Sequence, residues 1–86
     1  MMWLIEDEAH AELQDGEFPT REEAVAELHR RAELSWNVAP NIAPCTSWRT
    51  CGRRYVLIEM NGSEQVSRTL ALEISAAGVR WHLPSN

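Results

Sequence analysis

The chain has no lysine, and all eight of its cations are arginine. Coding bias toward GC-rich codons accounts for this most simply; planar, bidentate anion recognition is the functional alternative. Only four glycines occur, spread far apart, so no glycine-rich loop is available to cradle a phosphate. No G-x-S-x-G is present, and none of the three histidines stands beside a candidate nucleophile. Every apolar run is broken by charge well short of the ~20 residues a membrane span needs. The start, M-M-W-L-I-E-D-E, lacks the basic residues and longer apolar stretch of an export signal, and a cytoplasmic protein is expected.

What is present fits one small domain over residues 1–86. The core is leaner than the 44% hydrophobic content suggests, because ten of those residues are alanine. Charge is uneven. Residues 1–34 carry ten acids and three arginines, a balance of −7; the remainder carries three acids and five arginines, +2. Net acidity disfavours nonspecific nucleic-acid binding, which requires cations against phosphates.

The hydrophobic pattern gives an α+β fold. Trp3, Leu4 and Ile5 form a first strand, and residues 10–13 allow a short second one. Thr20 with Glu23 makes a capping box for a helix ending near Leu34 or Ser35. Val25, Leu28 and Ala32, with Ala24 beside them, form its apolar stripe. Glu27 and Arg31 are spaced for an i,i+4 ion pair. Tyr55 to Met60 reads as a strand entering the Asn61-Gly62 turn. Val66, Arg68, Leu70, Leu72 and Ile74 alternate with Ser67, Thr69, Ala71 and Glu73. Residues 75–78 turn the chain into a last strand in which Val79, Trp81 and Leu83 face inward. The expected architecture is one helix packed on a mostly antiparallel sheet, in the order β-α-(long loop)-β-β-β.

The long loop is the most informative segment. Trp36 to Arg53 has no periodicity, yet Trp36, Val38, Ile42 and Trp48 are too apolar for a solvated linker. An ordered, packed loop is expected, with Trp36 and Trp48 as a lid on the sheet. Loops of this length in compact domains are usually functional. Cys45 and Cys51 are separated by five residues, whereas zinc turns use two to four, so no metal site is expected. A sixth residue after either cysteine is not arginine, which excludes a C-x5-R phosphatase loop. The favoured reading of the cysteines is two small buried thiols; a redox-responsive pair is the alternative. Arg49, Arg53 and Arg54, with Trp48 as a stacking platform, form a candidate binding group. Their competing role is to neutralise the acidic first half through carboxylate pairs. No cofactor is expected.

The run A-P-C-T-S-W-R-T-C-G-R-R-Y, behind F-P-T-R-E-E-A, is similar to small uncharacterised proteobacterial proteins. The resemblance covers most of the chain. It implies a bacterial cytoplasmic protein and attaches no activity to it. Taken together, the residues favour a non-catalytic binding or interaction module that uses loop 36–54 toward a protein partner. The alternative is a redox-responsive or small-anion-binding protein using Cys45 and Cys51 with Arg49, Arg53 and Arg54. A complete catalytic set is missing, which places an enzyme last.

Overall fold

The computed structural model describes residues 1–42 and 52–83. Six elements follow one another: β1 (Met2–Asp7), β2 (Glu12–Leu13), α1 (Arg21–Ala32), β3 (Arg53–Asn61), β4 (Glu64–Ser75) and β5 (Gly78–Trp81). The strands form one five-stranded sheet in the order β2-β1-β3-β4-β5, and every neighbouring pair is antiparallel. The fold is α+β, as the sequence pattern predicts. The expected element order needs one correction, because the short strand β2 stands between β1 and the helix. Past β2, the backbone of Phe18 exchanges two hydrogen bonds with Trp3 and prolongs that edge of the sheet.

The helix begins where its chemistry places it. The Glu23 amide donates to Thr20 Oγ1 at 3.2 Å, and the Thr20 hydroxyl faces the Glu23 carboxylate. This satisfies one of the orphan donors of the first turn. The helix ends at Ala32, earlier than the periodicity suggests, with Glu33 as its C-cap. Its buried face also differs from the expected stripe. Ala24 and Leu28 are buried, but the third buried residue is Arg31, while Val25 and Ala32 sit at the margin.

Strand register assigns the faces of the sheet. Ile5 pairs with Leu57, Tyr55 with Leu72, and Arg53 with Ile74, so these side chains share the face covered by α1. Ile5, Tyr55, Leu57, Leu72 and Ile74 make the core with Ala24, Leu28 and Ala71. Trp3, Phe18, Trp36 and Leu83 pack around it. Trp81, expected in the core, lies instead on the exposed last strand, its ring 4.5 Å from that of His29.

The alternation expected along β4 is interrupted. Tyr55 pairs with Leu72 but Val56 pairs with Leu70, so Ala71 is an extra residue. A second shift between Glu59 and Met60 makes Val66 extra in the same way. Each bulge moves the following side chains to the other face. Leu72 and Ile74 therefore face the helix, while Leu70 and Arg68 face away with Val56 and Ile58. Bulges also twist an edge that would otherwise pair with other chains. β5 covers only residues 72–75 of β4, and the bulges fall on or beside the uncovered portion.

Gly52 enters β3 against the end of β4. A Cβ there would lie 2.3 Å from the Ile74 carbonyl oxygen and 2.7 Å from Ser75 Cβ. Gly62 instead has open space and a φ of +64° in the β3–β4 turn. Substituting Gly52 with Ala should therefore cost about 2–3 kcal/mol through displaced backbone. Gly62→Ala should cost only about 1 kcal/mol through φ strain. Urea unfolding of both variants checks this ranking; equal losses would mean the close approach at Gly52 is relieved at no cost.

Candidate functional site

The end of the sheet beside the long loop is built on charge. Asp7 closes β1 on the helix side and is fully buried. Its Oδ1 accepts from the Ala9 and Arg54 amides, and its Oδ2 accepts from Arg53 and lies 2.5 Å from His10 Nδ1. Burial alone would raise the Asp7 carboxyl. The bonds from the Arg54 amide, His10 and Arg53 outweigh that and hold it below the ordinary carboxylate range.

Arg53 opens β3 beside it and is only 7% exposed. A guanidinium has five N–H donors, and all five are used. Nη1 donates to Asp7 at 3.0 Å and to Glu12 at 2.6 Å. Nε donates to the Asn41 carbonyl, and Nη2 donates to the carbonyls of Pro40 and Ile42. Burial works against its charge, but the hydrogen bonds to Asp7 and Glu12 prevail and raise its pKa. Arg53 thus clamps three consecutive loop carbonyls to the sheet.

The loop is fixed from the other side by Asn41, which is also fully buried. Its side-chain amide donates to the carbonyls of Arg31, Leu34 and Ser35. These belong to the end of α1 and the residues just past it, where the helix leaves acceptors unsatisfied. The Tyr55 hydroxyl donates to Asn41 Oδ1 at 3.0 Å. Burial raises the Tyr55 pKa, which keeps the hydroxyl protonated as a donor. The Arg31 guanidinium sits 5.0 Å from the centroid of the same ring, within cation–π range. Arg31 also donates to Gln14 and Glu27, and the Gln14 amide donates to Glu12. Among the described residues, no buried side-chain nitrogen or oxygen lacks a partner.

With its carbonyls gripped, segment 36–42 folds into tight turns. The Asn41 and Ile42 amides both donate to the Val38 carbonyl around a cis Ala39–Pro40 peptide. Asn41 points inward, while Val38 and Ile42 stay 46% and 52% exposed. Trp36 packs against the core.

The structure separates the residues singled out from sequence. Cys45, Trp48, Arg49 and Cys51 lie outside the described residues. Arg53 is buried and fully bonded to protein acceptors. Arg54, on the opposite face of the sheet, is half-exposed and meets Glu8 and Glu73. The spacing marks Arg31 only as the partner of Glu27, and Asp7 and Asn41 are not among the expected site residues. Asp7 does carry a signal, because strand alternation puts it on the core face with Trp3 and Ile5. Arg31 falls one turn beyond Leu28, on the stripe. Nothing in the sequence marks Asn41. Among the described residues, no group of three or more histidine, cysteine or acidic side chains could hold a metal ion. No described helix is long and apolar enough to cross a membrane. Comparison with protein-family models, curated proteins and solved structures finds no match to this chain.

Two substitutions probe the clamp. Arg53→Met leaves Asp7 buried without its cation and should cost about 3–5 kcal/mol. Arg53→Lys keeps the charge but not the five-donor fork, and should recover only part of that loss in chemical unfolding. The depressed Asp7 carboxyl sets a pH dependence. It stays ionised in the fold where an unfolded aspartate, near 3.9, would take up a proton. Its stabilisation is therefore present above about pH 4 and is lost as pH falls through the lower folded value. Asp7→Asn should be less stable at neutral pH and lose less of its remaining stability on acidification. An unchanged acid slope would remove Asp7 from the account.

Proposed function

We propose that the chain is a non-catalytic binding module that presents the segment between α1 and β3 to a protein partner. One observation carries the reading: buried Asn41 and Arg53 grip the backbone of the described part of that segment at residues 34–35 and 40–42, while Val38 and Ile42 are left facing outward. Pre-ordering a loop removes part of the entropy that binding would otherwise cost. Exposed apolar side chains on a rigid turn suit a partner of matching shape.

Charge supports this reading over small-anion binding. Arg53 has no donor left for a ligand. Arg54 already bridges two carboxylates, and an anion there would compete with both. Among the described residues, Arg53 and Arg54 are thus matched to acids of the chain itself.

Affinity capture with immobilised protein provides the test. Wild type is compared with Val38→Asp/Ile42→Asp, with Trp48→Ala/Arg49→Ala, and with Arg21→Glu at the exposed start of α1. Partners held by wild type and by Arg21→Glu should be lost with both loop variants, each first shown to be folded by circular dichroism. The same proteins captured by all four baits would exclude the loop as the binding element.

A further inference from the structure

The face of the sheet opposite the helix carries a pattern that is complementary to itself. Among the described residues, α1 and segment 35–42 both lie on the other side. Two rows of side chains cross the open face at its centre. Leu4, Ile58 and Arg68 form one row; Glu6, Val56 and Leu70 form the next. The four outer positions are therefore two leucines on one diagonal, and an acid and a base on the other. Val56 and Ile58 lie between them on the central strand and are already 1% and 6% exposed, roofed by the Arg68–Glu6 ion pair that spans β3. Leu4 and Leu70 remain half-buried.

From this arrangement we propose that the open face binds a second copy of the chain, sheet against sheet. A twofold axis along the Leu4–Leu70 diagonal lays each leucine on its own equivalent. The same operation exchanges the acidic and basic corners, so Glu6 meets Arg68 of the partner subunit and Arg68 meets Glu6 of the partner subunit. The strands of the two sheets then cross at near right angles, which is one of the two standard ways in which sheets stack. Rotation about an axis parallel to β3 brings Glu6 over Leu70 of the partner subunit and leaves the charges unmatched. The pattern thus selects the occupant and its orientation, as an isologous contact requires. The one Glu6–Arg68 pair that roofs β3 within each chain is exchanged for two pairs between chains, so these four charges stay matched. The molecule measures 37 × 27 Å along its two longer axes, an outline that can hold the roughly 800 Å² per partner of a standard interface.

Sedimentation equilibrium of the full chain, from micromolar to near-millimolar concentration, is the primary test. The expected mass at the upper end is twice the 9.8 kDa of one chain. Glu6→Arg and Arg68→Glu each place like charges at both corners, and each should weaken self-association by about 100-fold. An equimolar mixture of the two variants should regain the dimer, because each supplies the charges that the other needs. This rescue distinguishes a contact between chains from loss of the ion pair within one chain. Should either variant fail to fold, isotope-filtered NMR on a mixture of labelled and unlabelled wild type replaces it. Methyl contacts between chains are then expected at Leu4 and Leu70. A wild type that stays monomeric, variants that still dimerise alone, or contacts between chains at Val38, Ile42 or β5 would each overturn the proposal.

Discussion

The pairing of Arg53 with Asp7 is the constraint on which the loop end of the molecule depends. Neither group can be buried alone, because an isolated charge in a low-dielectric interior is far too costly. Each therefore dictates the presence of the other and of enough further partners to satisfy it. Asp7 recruits two amides and His10. Arg53 recruits Glu12 and three carbonyls of the loop. The strand pairing of β1 with β3, the short strand β2 and the path of the loop all meet at this one ion pair. A hydrophobic replacement could fill the space but could not hold three carbonyls in place.

The helix and the loop are joined by a second device of the same kind. Asn41 occupies the position at which α1 runs out of amide donors for its last carbonyls. Tyr55 orients it from the sheet, and Arg31 lies over the Tyr55 ring. The core thus passes continuously from aliphatic, at Ile5, Leu28 and Leu57, to polar at the loop end. Among the described residues, every buried polar side chain of the second zone has a directional partner, which fixes the path of residues 40–42.

Much of the fold is legible in the sequence because periodicity and turn chemistry are local signals. Thr20 and Glu23 mark the helix start, Asn61-Gly62 marks the hairpin, and Glu27 pairs with Arg31 as spaced. The β4 bulges are not legible. Both Leu70 and Leu72 fit an apolar alternation, and only the pairing with β3 shows that they face opposite ways. Trp81 reads as core because large aromatics usually are, but β5 is a short edge strand, where Trp81 meets the helix at His29 and stays exposed. The site is less legible than the fold. Arg53 and Arg54 stand out by composition, yet Asp7, Glu12 and Glu8, which they meet, lie more than forty residues away in sequence. Asp7 and Arg53 are 46 positions apart, and no local pattern reports that distance.

That separation has a kinetic meaning. The grip on the loop cannot exist until β1 and β3 have met, and its second half waits on the end of α1. Contacts so remote in the chain require long loops to close before they can form, which slows folding. The ordered segment is then a reporter of complete assembly: a nascent or partly unfolded chain would display the same residues without their shape. Under the proposed binding role, a partner that reads segment 36–42 by shape would in that way distinguish finished molecules from unfinished ones.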